Sequence, residues 1–269
     1  MKAATERMRA DRVRDRLDVG PRFTQADAIR LNNLFRGTET REMLTSVLRD
    51  GLAGDVALVS SFGAESAVLL HLAQSTGVKV PVLFLDTGKH FPETLAYRDE
   101  LARLLDLDLV NLAPDPAELA AKDENGLRWS YDPDGCCEIR KVRPLEKSLL
   151  RFDASITGRK GFQSATRAGL PRFEIDTSDT QGRLKINPLA SWTKDDLDAY
   201  FAEHGLPRHP LEAEGFPSIG CMPCTSRVAP GEDPRSGRWK GWDKVECGIH
   251  QLGQDGDADG DAPGFDPIF

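Results

Sequence analysis

Two short apolar runs, DVALVS at residues 55–60 and VPVLFL at residues 80–85, are each followed by a turn and then by a segment of helical length and pattern. Runs of this kind are buried on both faces, and a helical crossover between them brings the second strand back parallel to the first. A third run at residues 107–112 follows a helical stretch at residues 91–105, and further strands are expected at residues 154–157 and 183–188. The expected fold is therefore α/β, with a doubly wound parallel sheet whose ligands bind beyond the carboxyl ends of the strands. Upstream, residues 24–52 read as one or two helices carrying Ala28, Leu31, Leu34, Leu44, Val47 and Leu48. Downstream, a short helix follows Pro116, a polar loop spans residues 129–135, and a helix is expected over residues 141–150. Thr193 with Asp196 forms a capping-box pattern for a helix running to about His204.

A length of 269 residues allows one large α/β domain with an appendage. The expected division is a helical segment at 1–52, a nucleotide-binding α/β domain at 53–212, a Gly- and Pro-rich segment at 213–250 and an acidic, disordered tail at 251–269. The third part has little periodicity and must be held by something other than a core. The formal charge of −8 is uneven, because five acids and no Lys or Arg fall in the last fifteen residues, leaving −3 for the rest. Residues 134–185 hold eleven basic against seven acidic side chains, an excess suited to a pocket for a small anion rather than to a nucleic-acid face. No stretch approaches the roughly 18 apolar residues of a membrane span. The N-terminus lacks the apolar core of a signal peptide, so a cytoplasmic protein with reduced thiols is expected.

The cysteines narrow the chemistry. Cys136 and Cys137 are adjacent, Cys221 and Cys224 are spaced as Cys-Met-Pro-Cys, and Cys247 stands alone in KVECGIH. Adjacent Cα atoms lie about 3.8 Å apart, shorter than an unstrained disulfide prefers, so the first pair needs another use. Four thiolates can hold zinc or a 4Fe-4S cluster, and the directly adjacent pair departs from ordinary zinc spacing. The fifth thiol, with Lys244 nearby, is a candidate nucleophile. At the end of the first strand, SSFGAES offers small hydroxyl residues and a helix start, a setting that favours phosphate, though it lacks the Gly-Lys-Ser/Thr ending of a Walker A loop.

From about residue 55 to residue 250 the chain resembles the assimilatory sulfonucleotide reductases, specifically the cluster-containing adenosine 5'-phosphosulfate reductases. The motifs that carry the likeness are SSFGAESA, LFLDTGKHFPET, CCEIRKVRPL, ITGRK with QSATR, KINPLASWT, GFPSIGCMPCT and ECGIH. The resemblance implies an adenine-nucleotide-binding fold related to the ATP pyrophosphatases. It makes Cys247 the nucleophile and Cys136, Cys137, Cys221 and Cys224 the ligands of a 4Fe-4S cluster. Ser60, Ser61 and Gly63 would line the phosphate end, and Leu85 and Gly161 the adenine end through backbone groups. Lys141 would stand between cluster and substrate. Arg159 and Arg167 match the loop that meets the nucleotide, while Arg235 and Arg238 match a basic pair closing over the phosphosulfate. Departures such as Ser66 after Glu65, and RHP at residues 208–210, bear on substrate contacts and touch neither the cysteines nor their spacing.

The implied reaction has two steps: Cys247 takes the sulfo group as an S-sulfocysteine and AMP departs, then thioredoxin or a glutaredoxin-like dithiol releases sulfite. The sequence has no Cys-x-x-Cys apart from Cys221 and Cys224, so the reductant must be a separate protein. Neither nucleic acid nor membrane is expected as a partner, and assembly into a homo-oligomer is compatible with the sequence. Two other readings remain at this point. One is reduction of the 3'-phosphorylated nucleotide, alone or alongside; the other is a non-catalytic iron-sulfur or zinc protein that senses redox state.

Overall fold

The computed structural model describes residues 21–163, 167, 169–244 and 248–250. Among the described residues, Thr24 caps the first helix, α1 (Gln25–Leu34), in a reciprocal box with Asp27, and Glu39 caps α2 (Thr40–Arg49). Then strands and helices alternate: β1 (Val56–Ser60), α3 (Ser66–Ser75), β2 (Pro81–Leu85), α4 (Pro92–Leu104) and β3 (Asp108–Leu112). After α5 (Pro116–Lys122), α6 (Pro133–Cys137) and α7 (Arg143–Leu149) come β4 (Ala154–Ile156), β5 (Phe173–Ile175), β6 (Leu184–Ile186) and α8 (Lys194–His204). The sheet order is β3-β2-β1-β4-β6-β5, parallel except for β5, which runs antiparallel to β6.

Period-two alternation assigns the two faces of the sheet. Leu58, Val82, Phe84 and Ile156 point to one side, where Leu31, Met43, Leu44, Leu70, Tyr97, Leu101 and Phe201 complete the main core. Ala57, Leu83 and Leu85 point to the other, under Leu145 and Leu149 of α7. Each large apolar side chain buried in this way contributes about 1.5–3 kcal/mol. Both N-terminal helices feed the main core through Ala28, Leu31, Met43, Leu44 and Val47. Among the described residues no helix is long and apolar enough to cross a membrane.

Two features depart from the sequence reading. The antiparallel strand β5 was not expected: three residues are too few to show a period, and its outer edge is closed by a side chain from α1. Asn32 donates to the Phe173 carbonyl at 2.7 Å and accepts from the Phe173 amide at 3.1 Å, standing in for the missing neighbouring strand. The second departure concerns the cysteine pair. A loop was expected through residue 135 and a helix only from residue 141; instead α6 starts at Pro133, with Asp132 accepting from the Gly135 amide at 2.8 Å. Between α6 and α7 lies a π-helical stretch (Glu138–Val142), in which the Arg143 amide donates to the Glu138 carbonyl. Pro144 explains the widened turn, since it has no N–H to offer the carbonyl four residues back and its ring crowds that carbonyl.

The turn joining β5 to β6 is pinned by charge. Asp176, 3% exposed, accepts from Ser178 Oγ at 2.6 Å and pairs with Lys185 at 3.0 Å and Arg183 at 3.2 Å. Burial alone would push its carboxyl up, but Lys185, Ser178 and Arg183 outweigh this and bring it down to about 2. A folded-state value below the unfolded one means stability that is present above pH 4 and lost as the pH falls toward 2. Asp176→Asn should therefore cost about 2 kcal/mol near neutral pH. In urea titrations the gap between variant and wild type should shrink by about half at pH 3; a gap independent of pH would contradict this assignment.

Candidate active site

A cavity of about 730 Å³ opens at the carboxyl ends of β1, β2 and β4. There the sheet order changes direction, the place where doubly wound sheets bind ligands. The exit of β1 forms its floor. Ser60 Oγ accepts from the Phe62 amide at 3.2 Å, and Phe62 sits fully buried at φ +49°, in the left-handed region that a side chain of this size rarely adopts. Its ring meets Phe84 edge-on at 5.5 Å, which holds the turn in place. The following helix α3 starts without a side-chain cap. Its N-cap residue, Glu65, instead pairs with Lys160 at 2.9 Å and accepts from Gln163 at 3.1 Å, and Gln163 in turn accepts from Arg167 at 2.8 Å. Burial draws the Lys160 ammonium below its usual value, opposed by the Glu65 carboxylate.

Of the residues expected to meet substrate, Ser60, Ser61, Gly63, Leu85, Lys141, Arg159, Arg167, Arg235 and Arg238 all line this cavity. Gly161 does not; its amide donates to the Ala190 carbonyl at 2.9 Å, in a short turn whose next residues, Phe162 and Gln163, reach the cavity wall. The Leu85 carbonyl lies 2.8 Å from His90 Nε2, which therefore carries the proton and occupies one of the two lone pairs. Arg159 is engaged by Glu174, and Lys185, also in the wall, by Asp176. Arg238 Nη1 donates at 3.4 Å to both Ser218 Oγ and the Ile219 carbonyl. Its guanidinium fills the space where a Cβ at position 220 would stand, so a side chain there would push the Arg238 head group aside.

The thiols gather next door. Cys136, Cys137, Cys221 and Cys224 surround a second, small cavity together with Trp129, Pro133, Pro223, Lys89, Arg140 and Lys141. The first three are buried and Cys224 is half-buried. The segment carrying Cys221 is tied to the exit of β2 through a bridge between His90 and Cys221, a Met222 amide bonded to the Lys89 carbonyl at 2.8 Å, and Thr87 Oγ1 at 3.3 Å from Cys221 Sγ. Burial pushes the Cys136 thiol up to about 11 and raises that of Cys224. Among the described residues no three His, Cys, Asp or Glu side chains converge as they would on a single metal ion. Lys141 and Cys221 line both cavities, so one wall separates the thiols from the larger pocket.

No local pattern of residues marks what fastens that wall. Arg140, 7% exposed, pairs with the fully buried carboxylate of Asp123 at 2.6 Å and donates to the Thr87 carbonyl at 2.7 Å. Burial raises the Asp123 carboxyl, but the Arg128 amide and the Arg140 guanidinium more than offset it and hold it below the usual range. Cys247, the expected nucleophile, lies outside the described residues, as do the N-terminal residues 1–20 and the acidic tail. The described residues flanking it do reach the site. Lys244 pairs with Asp134 of α6, while Ile249 lines the large cavity and packs on Leu85, Leu145 and Leu149.

The family description "phosphoadenosine phosphosulfate reductase domain" matches residues 55–227 of this chain. A protein of Mesorhizobium japonicum named adenosine 5'-phosphosulfate reductase is 47% identical over 231 residues, covering 85% of this chain and 89% of the relative. One of the same name from Chelativorans sp. is 49% identical over 213 residues, or 79% and 84% of the two chains. Among solved structures, a phosphate complex of phosphoadenylyl-sulfate reductase from Candida auris aligns with a TM-score of 0.63 at 28% identity, over 77% of this chain and 98% of that one.

Removing the Arg140 guanidinium would strand a carboxylate with no access to water. Arg140→Leu is expected to cost about 3–5 kcal/mol in urea unfolding. The same change made in an Asp123→Asn background should cost clearly less; additive losses in the double variant would dismiss the coupling.

Proposed function

Since the chain belongs to the phosphoadenosine phosphosulfate reductase domain family, we propose that it reduces adenosine 5'-phosphosulfate to sulfite and AMP, with Cys247 as nucleophile. The observation that carries this reading is the shared wall: Lys141 and Cys221 border both the nucleotide-sized cavity and the gathering of thiols. A phosphosulfate is doubly anionic and repels a thiolate, so cations must converge where the two meet. Lys141, Arg235 and Arg238 line that cavity.

In the first step the Cys247 thiolate attacks the sulfur. An S–S bond forms, the bond from sulfur to the bridging phosphate oxygen breaks, and AMP leaves with the electron pair. Charge grows on the departing phosphate, which Arg235, Arg238 and the uncapped start of α3 are suited to stabilise. In the second step one thiolate of an external dithiol attacks Cys247 Sγ and sulfite leaves with the S–S electron pair. The second thiol then resolves the mixed disulfide, returning the Cys247 thiolate and an oxidised partner. Thioredoxin, or a glutaredoxin-like protein, in a cytoplasmic setting fits that role.

Cys136, Cys137, Cys221 and Cys224 fit a 4Fe-4S cluster: the donors are all thiols and they share one void. Such a group would supply a fixed field beside Lys141. The chain's own part is to hold those thiols buried and to keep the Lys141 ammonium at the boundary.

Two observations favour the unphosphorylated nucleotide over its 3'-phosphorylated relative. The 47% and 49% identical relatives carry the former in their names, while the reductase named for the latter is 28% identical. The wall cations Arg159, Lys160 and Lys185 are also already engaged by Glu174, Glu65 and Asp176, which leaves less charge for an extra phosphate.

Anaerobic incubation with adenosine 5'-phosphosulfate and no reductant should yield a sulfonate adduct at Cys247 by peptide mass spectrometry, released as sulfite when a dithiol is added. Cys247→Ser should form no adduct and no sulfite while still binding AMP; sulfite from that variant would falsify the scheme. Cys136→Ser should lose most of the iron and acid-labile sulfide of the purified protein. Unchanged iron content would speak against these four ligands.

A further inference from the structure

Trp239 does not belong to the set of residues the reaction scheme uses, yet it touches two of its arginines and the segment that carries Cys224. It is 3% exposed, lines the large cavity, and adopts φ +48°, a backbone conformation that glycine takes without strain and an indole does not. What the side chain adds there is contact with cations. Arg238 Cζ lies 4.5 Å from the centre of its ring, Lys244 Nζ 5.6 Å and Arg235 Cζ 6.0 Å, all within the range in which a ring attracts a cation.

Its backbone reaches the thiols. The Trp239 amide donates to the Cys224 carbonyl at 3.1 Å, beside a bridge between Thr225 and Arg238. Lys244, which also meets the ring, is paired with Asp134 at the start of the helix that carries Cys136 and Cys137. One buried ring thus meets the two arginines of the phosphosulfate end and the lysine next to the Cys247 segment.

We propose that Trp239 is a positioning residue for anion binding: its ring holds Arg235 and Arg238 together as one cationic cradle in the wall of the large cavity. Without it, the two like charges lose a ring that attracts both, and the arginine side chains sample more rotamers about the polar contacts left to them. The inference rests on the nucleotide-reductase reading, and it assigns the ring to the anionic end of the ligand, not to the nucleoside.

The test compares adenosine, AMP and adenosine 5'-phosphosulfate by titration calorimetry on the iron-loaded full chain, with Trp239→Leu and Trp239→Phe beside wild type. Trp239→Leu should weaken binding of both nucleotides at least tenfold and leave adenosine within about twofold. Trp239→Phe keeps a ring and should recover most of the loss; if the leucine variant does not fold, Trp239→Gln takes its place, with the same tenfold loss expected. An equal loss for adenosine would make Trp239 a wall of the nucleoside site and overturn the proposal, as would unchanged nucleotide affinity in both variants. A wild-type chain that binds none of the three would bring down the reductase reading itself, and the proposal with it.

Discussion

The site depends on one buried ion pair. Arg140 and Asp123 meet where water is excluded, and the same guanidinium holds the Thr87 carbonyl just beyond β2. A buried charge pair of this kind adds little net stability compared with a well-packed apolar pair, because both ions give up hydration. What it fixes is position, since neither partner can leave without stranding the other. The thiol-bearing helix is thereby tied to the exit of a central strand, and Lys141 follows at the boundary of the two cavities.

Several cations of the large cavity are matched to a carboxylate. On the β4–β6 side the cations come with carboxylates: Arg159 with Glu174, Lys160 with Glu65, Lys185 with Asp176. Towards the thiols stand Lys141, Arg235 and Arg238, with an indole beneath the two arginines.

Much of the frame was legible because its signals are local. Apolar runs mark β1, β2 and β3, and the Thr193 and Asp196 box marks the start of α8, since these depend on period and capping chemistry within a few residues. Most of the cavity lining was also within reach, through motifs that bring Ser60, Lys141 and Arg238 to one place. The strand β5 was not, because its outer edge is satisfied by Asn32, some 141 residues away in sequence. Nor was the Arg140 and Asp123 pair, in which a single acid in a loop of several looks no different from its neighbours. Trp239 gave no signal either, for an aromatic among basic residues, with Trp242 three residues on, reads equally well as surface.

The π-helical stretch between the cysteine pair and α7 sets the rotational phase of the whole segment. Each residue of an α-helix advances about 100° around the axis, so a turn that accommodates one more residue offsets everything before it from everything after by roughly that angle. Downstream, Leu145 and Leu149 face the sheet; upstream, Cys136 and Cys137 face the void they share with Cys221 and Cys224. With regular winding the two halves could not satisfy both orientations at once. The wide turn at Pro144 works as an angular coupling, letting one continuous rod serve as a buttress at one end and a donor platform at the other.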